Sequence, residues 1–183
     1  MKTLLSSLRL IVVVTVFACG ESSGPDGRVA SVRITPGADT LGALGQERRY
    51  SAQALNAGGD PIPDKTFTWS AADPSVVAIT AHGVVRALAN GATRVRASVA
   101  GVAGEAVVVV AQRAATVTMS RATRSFAAVG DTGRFVAIAR DANGNAIGAA
   151  RFLWASADHG IVVVDSGGLA HARGNGGPER VVQ

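Results

Sequence analysis

The residues of this chain that could take part in chemistry are few and widely spaced. Three histidines, His82, His159 and His171, fall in predicted turns or at a strand end, and no two have the spacing of metal ligands. The stretch Asp141-Ala142-Asn143-Gly144-Asn145 alternates oxygen-bearing side chains as a calcium loop does, but it lacks the distant glutamate that completes such a loop. A hairpin turn built on Asn143-Gly144 explains this stretch better, and we interpret the histidines as solvated.

No arrangement typical of an enzyme is recognisable. The sequence contains no Ser/His/Asp pattern and no carboxylate pair held by spacing, and the glycines of residues 174–177 lack the flanking strand and helix of a phosphate-binding loop. The 18 basic residues are scattered and aromatic residues make up 4% of the chain, so the basic and aromatic surface that binds nucleic acid is missing. We therefore expect no catalysis, no cofactor, no metal and no nucleic-acid partner.

The first 18 residues have the composition of an export signal. Lys2 and Arg9 precede an apolar run over residues 10–18, which is far shorter than the ~20 residues that a membrane-spanning helix needs. A basic segment followed by a short apolar run is typical of a secretory signal peptide. We predict that residues 1–18 are removed on export.

The only cysteine, Cys19, directly follows this run. The sequence Val16-Phe17-Ala18-Cys19 resembles the lipobox of bacterial lipoproteins, which implies that Cys19 is acylated and becomes the mature N-terminus. Ordinary cleavage after Ala18, which leaves a free thiol, is the alternative. Residues 19–27 are small, polar and rich in turn formers, so we predict a flexible tether. Gly20 stands where an aspartate would resemble an inner-membrane retention signal, which favours the outer membrane.

The rest of the chain is an internal repeat. The segment Phe67–Asp73 matches Phe152–Asp158 without a gap, so that Trp69 is equivalent to Trp154 at an offset of 85 residues. The same offset superposes Val32 on Val117, Gly45 on Gly130, Tyr50 on Phe135, Gly59 on Gly144, Ile62 on Ile147 and Gly83 on Gly168. We therefore predict two modules, 28–112 and 113–183.

Within each module the apolar residues recur with a period of two. Val32 and Ile34 alternate with polar neighbours, and so do Val95, Ala97 and Val99. This is the pattern of half-buried antiparallel strands. Turn formers separate about seven such strands in a module of roughly 85 residues, which is typical of a Greek-key β-sandwich. The sequence therefore predicts an all-β chain of two tandem sandwiches.

Several short motifs then carry a specific resemblance. They are Val32-x-Ile34-Thr35-Pro36, Leu41 with Gly45-Gln46, the turn Gly58-Gly59, Thr68-Trp69-Ser70-x-x-Asp73-Pro74-Ser75-Val76-Val77, Gly83-Val84-Val85 and Asn90-Gly91-Ala92-Thr93. In these motifs the first module is similar to the bacterial Ig-like domain, group 2, a family that includes stalk modules of intimin- and invasin-like adhesins. The resemblance covers Val29 to about Val110, and Ala115 to about Gly176 in part.

The two tryptophans are expected to be structural. In immunoglobulin domains a tryptophan packs on a disulfide between the sheets, but neither module has a cysteine. We therefore expect Trp69 and Trp154 to be core residues surrounded by aliphatic side chains.

The second module is expected to be incomplete. After Asn90-Gly91 the first module has two further predicted strands, whereas only seven residues follow Asn175-Gly176. A sandwich without these strands leaves the core around Trp154 uncovered and an edge open to pairing. A truncated reading frame and a strand donated by a partner are the two explanations.

These observations and the resemblance together imply a function. We expect an exported protein, lipid-anchored through Cys19 at the outer membrane or cell surface, whose Ig-like modules serve as a structural spacer or adhesion module with a protein or glycan ligand. Without acylation the protein would be secreted. A carbohydrate-binding accessory module is the alternative.

Overall fold

The computed structural model describes residues 27–175 as an all-β chain of fifteen strands. This part of the chain contains no helix, and the predicted all-β class is confirmed. The predicted signal peptide, Cys19 and nearly all of the predicted tether lie outside the described residues, as do residues 176–183.

The first module contains ten strands in three sheets. In chain order they are β1 (Ser31–Thr35), β2 (Ala38–Leu41), β3 (Glu47–Arg49), β4 (Ser51–Leu55), β5 (Pro61–Ile62), β6 (Thr68–Ala71), β7 (Val77–Ile79), β8 (Val84–Ala87), β9 (Gly91–Val99) and β10 (Val102–Val110). The sheets have the orders β2-β10-β9-β6, β1-β4-β5 and β3-β8-β7.

One pair of strands departs from the predicted antiparallel arrangement. Strand β2 runs parallel to β10, with Ala38 opposite Val107 and Leu41 opposite Val110. The chain leaves β1, which pairs with β4, at Pro36-Gly37 and continues along the edge of the other sheet, where β10 has the same direction. Proline cannot donate a hydrogen bond to the neighbouring strand, so the break between β1 and β2 falls at this residue.

The core of the first module is formed by the inward-facing residues of these strands. In β9, Val95 and Ala97 are buried while Arg94 and Arg96 are exposed, as the alternation predicts. Burial of each valine side chain stabilises the fold by about 1.5–3 kcal/mol. Every buried residue of this core lies between Ile34 and Val110, so the module has a core of its own and can fold by itself. The largest fully buried side chains are Tyr50, Leu41, Val77, Val85, Val95, Val108 and Val110.

Trp69 packs against this core from β6, on top of Gly83. Gly83 has φ +75°, and a Cβ atom there would lie 2.5 Å from the carbonyl oxygen of Tyr50 and 3.0 Å from Cζ2 of Trp69. Both the backbone conformation and the close approach of the indole ring therefore require glycine.

The second module repeats two of the three sheets. Its strands are β11 (Thr116–Met119), β12 (Thr132–Arg134), β13 (Ala137–Arg140), β14 (Val162–Val164) and β15 (Leu169–Ala172). The pair β11-β13 corresponds to β1-β4, and the sheet β12-β15-β14 corresponds to β3-β8-β7. Between residues 113 and 175 there is no counterpart of the four-stranded sheet.

Trp154 packs on a glycine as Trp69 does, but no counterpart of the four-stranded sheet lies beside it among residues 113–175. A Cβ atom at Gly168 would lie 3.0 Å from the indole ring, and the rings of Phe135 and Phe152 have their centroids 6.5 and 6.4 Å from it. Residues 123–126 and 153–156, equivalent to β2 and β6, are not strands, and β10 and β9 have no counterpart among the described residues. Leu153 is fully exposed, at 103%. The expected incompleteness of the sandwich concerns the chain after Asn175, which lies outside the described residues.

Candidate functional site

The segment that follows β13 forms a hairpin turn. The backbone N–H of Asp141 donates to the carbonyl of Asn145 at 2.9 Å, and the N–H of Gly144 donates to the carbonyl of Asp141 at 3.0 Å. Gly144 has φ +82°, the left-handed conformation that an Asn-Gly pair provides at no steric cost. The stretch interpreted as a turn is therefore a turn, and Asp141 within it is only 2% exposed.

The carboxylate of Asp141 connects the two modules. Its Oδ2 atom accepts hydrogen bonds from the backbone N–H of Leu44 and from Nε2 of Gln112, both at 2.9 Å. Its Oδ1 atom accepts from the backbone N–H groups of Asn143 and Asn145, at 3.0 and 2.9 Å. One carboxylate thus holds its own turn closed and binds the first module and the linker.

The two asparagines of the turn complete the contact. Nδ2 of Asn143 donates to the carbonyl oxygen of Leu44 at 2.9 Å, and Nδ2 of Asn145 donates to the same oxygen at 3.0 Å. Both the donor and the acceptor of Leu44 are therefore bound by a turn about a hundred residues away in sequence. We call the set Leu44, Gln112, Asp141, Asn143 and Asn145 the junction.

The linker between the modules is bound to the first module. The side chain of Asn90 accepts from the backbone N–H of Gln112 and donates to Oε1 of Gln112, both at 2.9 Å. The next backbone N–H, of Arg113, donates to the carbonyl of Gly42 at 2.8 Å. The linker is consequently in fixed contact with the loops at one end of the first sandwich.

Hydrogen bonding determines the protonation state of the Asp141 carboxyl group. Burial of the carboxyl group alone would raise the pKa of Asp141, but the hydrogen bonds from Gln112, Leu44, Asn145 and Asn143 outweigh burial and hold that pKa well below its ordinary value of 3.8. The carboxylate is therefore ionised at neutral pH, and its oxygens are occupied by N–H donors.

The architecture described above agrees with one family model. The model of the bacterial Ig-like domain, group 2, matches residues 28–110. Residues 28–110 are a bacterial Ig-like domain of group 2. This confirms the family inferred from the short motifs around Trp69 and Gly83.

Several solved structures are similar to the chain, all at TM-scores below 0.5, so the family assignment rests on the family model. Domains 5–6 of the S-layer protein SbsC are 14% identical, with 79% of this chain and 82% of that chain covered and a TM-score of 0.40. Domains 4 and 5 of SbsC are 13% identical, with 46% and 53% covered and a TM-score of 0.39. Repeats EC1-2 of human protocadherin-24 are 13% identical, with 80% and 79% covered and a TM-score of 0.36. The chain thus spans about half of the SbsC structure of domains 4 and 5, and 25% of the structure of rSbsC(31-844). A comparison with curated proteins finds no match.

The histidines singled out in the sequence lie apart from the junction. His82 and His159 are exposed in turns, and His171 lies in β15 one residue before the strand ends, opposite Thr132 and Val163. Among residues 27–175 no three His, Cys, Asp or Glu side chains are placed to hold a metal ion. The same range contains no helix long and apolar enough to cross a membrane.

A second candidate site is an open groove beside Trp154. It has a volume of about 600 Å³, and its lining includes Arg134, Arg151, Phe152 and Leu153. The groove combines a partly exposed indole ring with two guanidinium groups.

One difference between the two modules could have indicated the junction from the sequence. The two modules keep the same glycine in this turn, Gly59 and Gly144, but differ at three positions around it. Asn56, Gly58 and Asp60 of the Ig-like domain are replaced by Asp141, Asn143 and Asn145 in the second module. These three replacements are the side chains that contact the first module.

Proposed function

We propose that this protein is a non-catalytic structural or adhesive component of the bacterial cell surface, in which Ig-like modules act as a spacer. The observation that carries the proposal is the junction. A spacer has to keep its parts at a fixed separation and orientation, whereas domains joined by a free linker move relative to one another. Here the linker and the turn of the second module are both hydrogen-bonded to the first.

The junction is directional. The loop end of the first module receives the turn of the second, so the modules are arranged head to tail along the chain. Repetition of one contact in one direction builds an extended rod, the shape that a stalk or spacer requires. We therefore favour a spacer over a compact two-domain binding protein.

The rigidity of the junction can be measured by residual dipolar couplings of the mature chain in a weakly aligning medium. For the natural sequence we expect one alignment tensor to fit the amides of both modules. Asp141→Ala removes the acceptor of Leu44 and Gln112, so we expect the two modules to need separate tensors. Asp60→Ala is the matched control, because Asp60 is bonded within its own turn, to Asn56.

One result would contradict the spacer role, and another would contradict the role given to Asp141. Separate tensors in the natural sequence would mean that the modules are already independent. A single shared tensor in Asp141→Ala would mean that the carboxylate does not hold them.

The proposed anchor is a lipid on Cys19, which would attach the spacer to the membrane and favour an outer-membrane or cell-surface location. The support is the sequence alone: the short apolar run and the resemblance of Val16–Cys19 to a lipobox. The intact mass of protein from the membrane fraction tests it, with a chain that begins at acylated Cys19 as the expected result. Cys19→Ser should release the protein from the membrane. An unacylated mass would indicate a freely exported protein instead.

A carbohydrate-binding module is the second candidate, and the groove beside Trp154 is the observation that favours it. An aromatic face with a few polar groups is the usual composition of a small-ligand site. A glycan array probed with the mature chain and with Trp154→Ala tests this candidate. Binding that is lost in the variant would support it, and the absence of binding by the natural chain would reject it.

A further inference from the structure

The loop of the first module that receives the Asp141 turn has a well-defined hydrogen-bonding pattern. Oε1 of Gln46 accepts from the backbone N–H groups of Gly42 and Ala43, at 2.8 and 3.3 Å. Gly45, with φ +76°, donates its N–H to the carbonyl of Ala87 at 2.8 Å. These bonds hold the peptide groups of the adjacent Leu44 in position to meet the turn.

The second module has the same loop with the same bonds. Oδ2 of Asp131 accepts from the backbone N–H groups of Ala127 and Ala128, at 2.8 and 3.0 Å. Gly130, with φ +92°, donates its N–H to the carbonyl of Ala172 at 2.9 Å. Each residue lies 85 positions after its counterpart in the first module, so the receiving geometry is repeated at the far end of the second module.

The residue that corresponds to Leu44 is Val129, and its backbone groups are unoccupied. Val129 is 58% exposed, and neither its N–H nor its carbonyl makes a hydrogen bond within residues 27–175.

We propose that the loop 127–131 forms a docking surface for a further Ig-like module that carries an Asp-x-Asn-Gly-Asn turn. The carboxylate of such a turn would accept the N–H of Val129, and its two asparagine amides would donate to the carbonyl of Val129, as Asp141, Asn143 and Asn145 do at Leu44. The inference is continuous with an interface already present in the chain, and its biological meaning rests on the proposed spacer function.

A second copy of this chain does not fit the surface. Its Asp141 turn is already used within the molecule, so it could offer only the turn 56–60 of its first module. There Gly58 has no amide side chain to donate, and the carboxylate of Asp60 would face the carbonyl oxygen of Val129. Two acceptors in contact repel each other, so head-to-tail association of identical chains is disfavoured.

The test is a nuclear magnetic resonance titration of the isotope-labelled mature chain with a designed probe. The probe is the first module, residues 28–112, with Asn56→Asp, Gly58→Asn and Asp60→Asn, which gives its free turn the residues of the Asp141 turn. We expect shifts confined to Val129 and its neighbours in the loop 127–131. The dissociation constant should be on the order of 1 mM, because one loop and one turn bury far less than the ~1,200 Å² of a stable interface.

Two controls distinguish docking through the turn from nonspecific binding. The unmodified first module should bind at least about tenfold more weakly, since it lacks the three hydrogen bonds to Val129. In the labelled chain Val129→Asp should abolish binding by repelling the carboxylate of the turn, whereas Val129→Ala should keep it, because the proposed contact uses the peptide groups. Residue 129 is exposed, so neither variant disturbs the core.

Equal binding by the modified and unmodified probes, shifts located elsewhere, or no shift at Val129 at probe concentrations of about 1 mM would overturn the proposal. These outcomes leave the rigidity of the natural junction untouched, because that property is measured on the chain alone with Asp141→Ala. Failure of the docking surface is therefore distinguishable from failure of the spacer function.

Discussion

Tyr50 is a fully buried residue whose hydroxyl has no hydrogen-bond partner among residues 27–175. The residue is 1% exposed, and its Oη atom is shielded from solvent. Burial of a hydroxyl without a partner costs about 1–3 kcal/mol. The equivalent residue of the second module is Phe135, so the fold accommodates the ring without the hydroxyl. We expect Tyr50→Phe to raise the free energy of unfolding by about 1 kcal/mol.

The same burial makes stability depend on pH in the alkaline range. Burial, followed by the negative charge of Asp39, raises the pKa of Tyr50 from 10.0 to about 12, and the positive charge of Arg48 opposes this rise only in part. Because the folded pKa is the higher one, the folded state keeps the proton while the unfolded chain ionises. The contribution of the protonated Tyr50 to stability is therefore fully present below pH 10, and it is lost as the pH rises toward about 12.

Urea unfolding followed by tryptophan fluorescence, at neutral pH and at steps above pH 10, measures both effects. The advantage of Tyr50→Phe should grow above pH 10, because the variant has no phenol to ionise there. Phe135→Tyr in the second module is the reverse control and should destabilise, since Phe135 is 3% exposed. A loss of about 1 kcal/mol in Tyr50→Phe would show that the hydroxyl has a stabilising partner, and parallel pH profiles would refute the reasoning about its ionisation.

Three further predictions concern the tryptophan, the glycine beneath it and the junction. Trp69→Ala should lower the free energy of unfolding by about 3–5 kcal/mol in a thermal or urea melt, because it opens a cavity against the core, and a negligible shift would contradict that packing. Gly83→Ala should destabilise far more than Gly59→Ala in the same melt, since both glycines have positive φ but only at Gly83 would the new Cβ clash with Tyr50. Lowering the pH below 3.8 should loosen the junction, because the pKa of Asp141 is held below that value in the folded state, so its stabilisation is present above pH 3.8 and is lost as the pH falls. The amide chemical shift of Leu44, whose N–H donates to that carboxylate, would report the loosening. Asp141→Asn has no carboxylate to protonate, so its Leu44 shift should not change in this pH range.

The sequence predicted those features that depend on the residues of one strand or one turn. The alternation in β9 gives its two faces directly, since burial of Val95 and Ala97 follows from their position between arginines. The repeat offset pairs Gly83 with Gly168 just as it pairs Trp69 with Trp154. Each of these glycines lies against the indole ring of its own module, so equivalent residues have equivalent contacts.

The junction was not predictable in the same way. Asp, Asn and Gly are the usual residues of hairpin turns, so the turn at Asp141 was explained without a second role. Its bond to Leu44 joins residues 97 positions apart, and only the packing of one module on the other brings them together. The parallel pairing of β2 with β10 was missed for a similar reason, because the direction of two distant strands is set by the path of the chain and not by their own residues.

The parallel pairing of β2 with β10 has a mechanical consequence. A pull on the two ends of the first module draws the start of β2 and the end of β10 in opposite directions along their common axis. Because the strands are parallel, the force shears them and loads all the hydrogen bonds between them at once. The bonds are therefore not broken one after another. Backbone hydrogen bonds extend this contact beyond the paired residues. The N–H of Val107 donates to the carbonyl of Gly37 at one end, and the N–H of Ala111 donates to the carbonyl of Leu41 at the other. A force that pulls the two ends of this domain apart is thus the force that the domain resists best.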